Sequence, residues 1–232
     1  MRLAASPKVL LDAELMIGKS NRGAVMNYSY YTNERKEVYG LVPDGVKRVL
    51  EVGCAAGGFR RNFPADVEYW GVEPFASAAE DACSQGIKVL RGTYESVENL
   101  IPESYFDVVV CNDVIEHMMY PEIFLESVSG KLKVGGVIVG SIPNVRFYGN
   151  LMNLLIGRDW RYEESGILDK NHLRFFTFKS FRRLIEVLGF RVEVISGVQS
   201  IRMNVLKVLF APFLILIGFD VCYFQILFRI RR

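Results

Sequence analysis

The chain has 232 residues, half of them apolar, which is enough for one large domain with a sizeable core. Its formal net charge of only +2 excludes a global attraction to nucleic acid. Four cysteines (Cys54, Cys83, Cys111, Cys222) have no metal-type spacing, so a disulfide or cysteine-metal framework is excluded too, and Cys54 and Cys111 read as reduced core thiols of a cytosolic protein.

Residues 1–20 mix charges with apolar residues and have no long apolar stretch, so no secretion signal is expected, and residues 1–30 are expected to be a partly mobile N-terminal segment. A single domain is expected over 31–232. Asn33 is placed to cap a helix over 34–41, ahead of Pro43. Strands are predicted over 47–52, up to Glu73, over 87–90, 105–111, 137–142, 190–195 and 223–230. Helices are predicted from Phe59 until Pro64 stops them, then over 75–85, 94–100, 120–132 and 178–188. Gly86 and Gly189 follow two of these helices as C-terminal stops, and Gly135-Gly136 is read as a turn. The run 105–111 is nearly all apolar, as a strand covered on both faces should be. Strands alternating with helices point to an α/β fold, a parallel sheet with helices on both faces.

The most informative stretch is Val49-Leu50-Glu51-Val52-Gly53-Cys54-Ala55-Ala56-Gly57-Gly58-Phe59. A buried strand ends in an acid and breaks into a loop of very small residues, which lets backbone approach a ligand closely. A helix after the loop would turn its free N–H groups to the same ligand. Glu51 puts negative charge beside this crevice, which suits a cationic ligand and repels a pyrophosphate. Glu73 ends the next strand, twenty residues after Gly53, where a carboxylate can accept from both ribose hydroxyls.

These residues resemble the first motif of class I S-adenosylmethionine-dependent methyltransferases, Glu/Asp-x-Gly-x-Gly-x-Gly, with Ala55 in place of the middle glycine. The resemblance spans about residues 28–198. It implies a Rossmann-like sheet of seven strands, mostly parallel, with a last antiparallel strand. It implies S-adenosyl-L-methionine as cofactor and S-adenosyl-L-homocysteine as product. It implies that Glu51, Gly53, Cys54, Ala55, Gly57, Glu73 and Pro74 line the donor site. Gly92, Thr93 and Tyr94 would lie at the adenine, and Asn112, Asp113 and Val114 at the methionine portion. Tyr31 and Arg35 would cover the donor, with Arg35 pairing with its carboxylate.

The chain has two histidines, His117 after strand four and His172 in the segment 144–177. Either can serve as general base at neutral pH, and either can instead cap or pin local structure. Segment 144–177 leaves the carboxyl end of strand five, so it is expected to be a lid or substrate wall. Asn144, Phe147, Trp160, Tyr162, His172 and Arg174 are its candidate substrate-binding residues. Asp113, Glu116 and His117 match the acid-x-x-Glu-His pattern of ubiquinone-biosynthesis O-methyltransferases. These three are the metal candidates, although no metal is expected. Residues 156–177 also resemble methyltransferases that accompany glycosyltransferases in bacterial surface-polysaccharide synthesis, which would suggest a sugar acceptor.

Residues 208–219 are twelve uncharged residues, too short to cross a bilayer, and an apolar helical insertion is expected at about 200–219. The basic residues Arg202, Lys207, Arg229, Arg231 and Arg232 flank it, so peripheral contact with the inner face of a membrane is the alternative to simple packing on the sheet. The favoured function is O-methylation of a small molecule or glycan, lipid-linked or free, by a cytoplasmic monomer or homodimer. A NAD(P)-dependent oxidoreductase and a non-catalytic donor-binding partner protein remain alternatives.

Overall fold

The computed structural model describes residues 34–199 and 218–232. Tyr31, Asn33 and nearly all of the expected apolar insertion at 200–219 lie outside the described residues. Helix α1 (Lys36–Tyr39) leads into β1 (Arg48–Val52). β2 (Glu68–Glu73), α2 (Ala76–Ser84), β3 (Lys88–Arg91), α3 (Tyr94–Val97) and β4 (Phe106–Asn112) follow. Then come α4 (Pro121–Gly130), β5 (Leu132–Pro143), α5 (Tyr148–Leu155), α6 (Phe178–Val187), β6 (Arg191–Gln199) and β7 (Tyr223–Arg231).

The seven strands form one sheet in the order β3-β2-β1-β4-β5-β7-β6. The pairs from β3 to β5 are parallel, while β7 is antiparallel to both of its neighbours, β5 and β6. Side chains alternate across the sheet and build a core on each face. Val49, Val108, Val110, Val137 and Val139 pack on one side with Phe59 and Phe63. Leu50, Val109, Cys111 and Ile138 pack on the other with Phe106, Phe124 and Phe181. Cys54, Cys111 and Cys222 are buried free thiols, and Cys83 is an exposed one.

Two expectations change. The loop after β1 does not open an α-helix, but a single 3-10 turn, Phe59–Asn62. Proline disfavours helical geometry in the residue before it, and Phe63, preceding Pro64, is extended at φ −102°, ψ 146°. The pair Gly135-Gly136 lies within β5 instead of preceding it. There the register jumps from Phe106 opposite Leu132 to Val108 opposite Val137, so the glycines form a bulge, with Gly135 at φ 82°.

Strand order reverses between β1 and β4, because the chain runs outward from β1 through β2 to β3 and then returns. Such a switch point opens a crevice beyond the carboxyl ends of the two strands. The small-residue loop and the turn after β4 both emerge there.

Candidate active site

The loop after β1 depends on residues without bulk. Gly53 has φ 72°, and a Cβ there would stand 3.0 Å from Val114 Cγ2. Gly57 has φ 80°, and a Cβ there would stand 2.8 Å from Ile87 Cδ1. Ala55 adopts φ 47°, a left-handed conformation that costs an L-residue roughly 1 kcal/mol. Its N–H donates to Glu73 Oε2 at 2.9 Å, and the Phe75 N–H donates to Glu73 Oε1 at 2.9 Å. Glu73 therefore clasps the loops after β1 and β2 together. Gly92 N–H donates to the Glu73 carbonyl at 3.1 Å, which brings the β3 end to the same rim, where Pro74 and Thr93 are exposed.

Cys54 and Tyr94 are placed differently from what the motif suggests. The Cys54 thiol is buried against Gly71, where a Cβ would come within 2.5 Å of Sγ. Only the Cys54 backbone remains to line a ligand. The Tyr94 ring is buried edge-on to Phe124, and its hydroxyl lies 2.9 Å from Ser127 Oγ. Both are core residues.

Glu51 is buried at the end of β1 and accepts a hydrogen bond from Tyr69 Oη at 2.8 Å. Burial pushes its carboxyl up to about 8, opposed by the Tyr69 hydrogen bond and by Asn112. The Asn112 amide lies close enough to favour the ionised Glu51, yet its buried Nδ2 and Oδ1 make no hydrogen bond of normal geometry. Desolvation also raises Glu73. Buried carboxyls and an orphaned amide facing one crevice are what a cationic, hydrogen-bonding ligand would satisfy.

Arg35 and Asp113 pair with each other. The Arg35 guanidinium donates to Asp113 Oδ2 and, at 2.8 Å, to Ser141 Oγ. Gln225 Nε2 donates to Asp113 Oδ1 at 2.9 Å, and Ser141 Oγ donates to the same oxygen at 3.1 Å. This network ties α1 to β4, β5 and β7. Sequence reasoning missed Tyr69, Ser141 and Gln225; the signal available was a polar residue inside an otherwise apolar strand.

His117 and His172 come together across fifty-odd residues of chain, with ring centroids 4.7 Å apart. His117 Nδ1 lies 3.1 Å from the Asn171 carbonyl, and His172 Nδ1 lies 3.0 Å from the Ile167 carbonyl. A carbonyl only accepts, so both Nδ1 atoms carry a proton, and in the neutral ring Nε2 is the atom with the lone pair. Burial lowers the pKa of His117, with a smaller contribution from His172, and so favours its neutral form. Glu116 lies beside them, buried, with its carboxyl raised well above the ordinary range by desolvation.

The insertion between β5 and α6 is pinched at its base, where Val145 N–H donates to the Phe176 carbonyl at 3.0 Å. Asn144 sits at the carboxyl end of β5. It is fully buried, its Nδ2 donates to the carbonyls of Asp220 and Tyr223 at 2.8 Å each, and its Oδ1 accepts from Arg146 N–H. A buried amide at a strand end is consumed by the backbone groups around it. Trp160 and Tyr162 gather around Phe175, which stands 6.5 Å from the His172 ring. Phe147 instead packs on Tyr148 and Phe224, and exposed Arg174 holds the Met119 carbonyl.

This sheet order, with the crevice at β1 and β4, defines the class I S-adenosylmethionine-dependent methyltransferases. The chain belongs to a family described as a methyltransferase domain, which matches residues 27–194. Its fold is similar to that of an S-adenosylmethionine-dependent methyltransferase from Archaeoglobus fulgidus, at 20% identity and TM-score 0.62, covering 94% of this chain and 99% of that one. It is also similar to one from Mesorhizobium loti, at 18% identity and TM-score 0.62, covering 86% and 97%. Among curated relatives, the ubiquinone biosynthesis O-methyltransferase of Aeromonas salmonicida is 28% identical over 66% of each chain. The mitochondrial one of Schizosaccharomyces pombe is 27% identical over 69% of this chain and 60% of its own length. The chain thus spans just under two thirds of these two relatives. S-adenosylmethionine is the donor of this class, and the small-residue loop, Glu51, Glu73 and the Asn112 amide fit it. The dinucleotide oxidoreductase alternative loses its support. No helix among the described residues is long and apolar enough to cross a membrane.

Proposed function

We propose that this chain methylates a hydroxyl of a small molecule or glycan. The observation that carries this reading is the meeting of His117 and His172 at the end of β4, with ring centroids 4.7 Å apart and each Nδ1 held by a backbone carbonyl, which leaves Nε2 as the ring atom free to take a proton. That is where an acceptor hydroxyl would lose its proton. Two curated relatives named as O-methyltransferases support an oxygen acceptor.

The donor supplies an electrophilic methyl group on a sulfonium. In this reading the backbone of Gly53, Cys54, Ala55 and Gly57 closes on it, and Glu73 accepts from its ribose. Pro74, Gly92 and Thr93 border the adenine. Glu51 in its ionised form offsets the donor's positive charge, and Asn112, Asp113 and Val114 border the methionine portion. Trp160, Tyr162 and Arg174 flank the acceptor on the insertion side. Exposed Met152, Leu155 and Ile156 at α5 support an acceptor carried at the cytoplasmic face of a membrane.

Titration with S-adenosylhomocysteine, with NAD as control, tests the donor. Transfer of labelled methyl to phenols and sugars then tests the acceptor class. His172→Ala should lower turnover about a hundredfold while donor affinity changes little. Equal losses in both would mark His172 as a packing residue of the insertion and remove the basis of the acceptor assignment.

A further inference from the structure

Tyr69 places a hydroxyl on the inside of an otherwise apolar stretch of β2. Side chains alternate along the strand, so Tyr69 and Gly71 face the same side of the sheet, and Gly71 stands opposite Glu51 of β1. Gly71 has no side chain to hold the two apart, and the Tyr69 ring reaches along the strand to donate to Glu51 Oε2 at 2.8 Å. Both residues are buried. The ring lies edge-on to Phe63, with centroids 5.4 Å apart, and the Arg60 guanidinium stands 5.6 Å from its centroid. Packing in this cluster requires the ring but not the hydroxyl. Glu51 forms no ion pair among the described residues, and Arg35, the cation nearest in effect, pairs with Asp113 instead.

We infer that Tyr69 is a positioning residue for methyl transfer: its hydroxyl aims and stabilises the Glu51 carboxylate, and through it makes the crevice prefer the sulfonium donor to the thioether product. In the transfer the methyl carbon leaves sulfur, the C–S electron pair stays on sulfur, and the proton of the acceptor hydroxyl goes to a base. The ligand therefore arrives as a cation at sulfur and departs neutral there, with its adenine, ribose and amino-acid groups unchanged. A group that faces the sulfur is the one able to tell the two apart by charge. An ionised, buried carboxylate does so strongly, because it loses its counter-charge as the methyl departs. A hydrogen bond donated by a phenol favours that ionised form. Burial opposes it and pushes the Glu51 carboxyl up to about 8, while Tyr69, ahead of Asn112 and Arg35, pulls it down. Glu73 faces the same carboxyl and raises it further. The nearby thiols of Cys54 and Cys111 are held protonated by burial. Burial and the adjacent Glu51 likewise keep the proton on Tyr69, against the pull of Arg60. The inference rests on the proposed placement of Glu51 at the sulfonium and not on the acceptor assignment.

The test is calorimetric titration of the full chain with S-adenosylmethionine and with S-adenosylhomocysteine across neutral pH, for the wild type, Tyr69→Phe, Glu51→Gln and the double variant. The wild type should prefer the donor increasingly as pH rises. Tyr69→Phe removes one oxygen and keeps the ring. It should move the midpoint of that preference upward by about one pH unit and lower the donor-over-product preference about tenfold at pH 7. Glu51→Gln should abolish the pH-dependent part, and adding Tyr69→Phe should then change nothing, which separates Glu51 from Glu73. If Tyr69→Phe fails to fold, a ring-fluorinated tyrosine in place of Tyr69 keeps the shape, donates more strongly and should move the midpoint down. Equal losses for donor and product at every pH would make Tyr69 a packing residue and overturn the inference, as would a midpoint indifferent to the change at the hydroxyl. A preference unchanged in Glu51→Gln would instead overturn the placement of Glu51 at the sulfonium, and the inference with it. Binding of S-adenosylhomocysteine in the same samples reads the donor site as a whole, so these failures are distinguishable.

Discussion

At the scale of single residues, the buried carboxyls of the crevice make stability and binding depend on pH. Glu51 has its folded pKa raised to about 8, chiefly by burial. Between the ordinary carboxyl range and pH 8 the folded state holds a proton that the unfolded chain has lost. The stabilisation is therefore fully present below the ordinary carboxyl pKa and is lost as pH rises through about 8. Denaturant unfolding without ligand should show stability falling by a few kcal/mol, in order of magnitude, from pH 5 to pH 8, and Glu51→Gln should flatten that slope. A sulfonium favours the ionised carboxylate, so S-adenosylmethionine affinity should rise toward pH 8, more steeply than that of S-adenosylhomocysteine. Glu73 carries a second residue-scale prediction. Its two oxygens hold the Ala55 and Phe75 amides, so Glu73→Ala should cost about 1–3 kcal/mol of stability as well as donor affinity. Glu73→Gln keeps one acceptor oxygen and should separate the two losses. Thermal unfolding and ligand titration of both variants check this.

At the scale of elements, α6 shows how a local sequence signal becomes tertiary order. Thr177 and Ser180 form a reciprocal capping box, with Ser180 N–H donating to Thr177 Oγ1 at 3.1 Å and Thr177 N–H donating to Ser180 Oγ at 2.9 Å. The cap fixes where the insertion ends and aims Phe181 and Ile185, one turn apart, into the core. Thr177→Ala should cost about 1 kcal/mol, seen as a small fall in melting temperature with donor affinity unchanged. Most elements were legible in this way. Apolar runs bounded by glycine located the strands, and Gly86 and Gly189, at φ 78° each, end helices as read. The turn after the Gly53 loop was misread because the brake of Pro64 reaches back onto Phe63. The glycine pair in β5 was misread because a bulge and a turn use the same residues. Only pairing to β4 distinguishes them.

At the scale of the whole molecule, the crevice proposed for the donor was legible from local spacing, and the cluster proposed for the acceptor was legible only in part. Glu51, Gly53, Gly57 and Glu73 lie on consecutive strands and loops, so local spacing locates them. The meeting of His117 with His172, and the capture of Asp113 by Arg35 and Gln225, depend on long-range closure that no local pattern encodes. Asn144 shows the same difficulty, since a polar residue at the carboxyl end of a strand reads as a ligand contact until its partners are known. Its partners come from β7 and the turn before it, and its backbone bridges to Phe176 at the far end of the insertion. One amide thus joins β5, β7 and the base of the insertion. Asn144→Ala would leave the Asp220 and Tyr223 carbonyls without that donor, at a cost of about 2–4 kcal/mol. A clamp residue should show this loss in unfolding experiments, while the acceptor KM of the protein still folded at low temperature stays nearly constant. A direct acceptor contact would give the reverse, near-normal stability with a raised KM, so measuring both quantities in one variant decides which role Asn144 has.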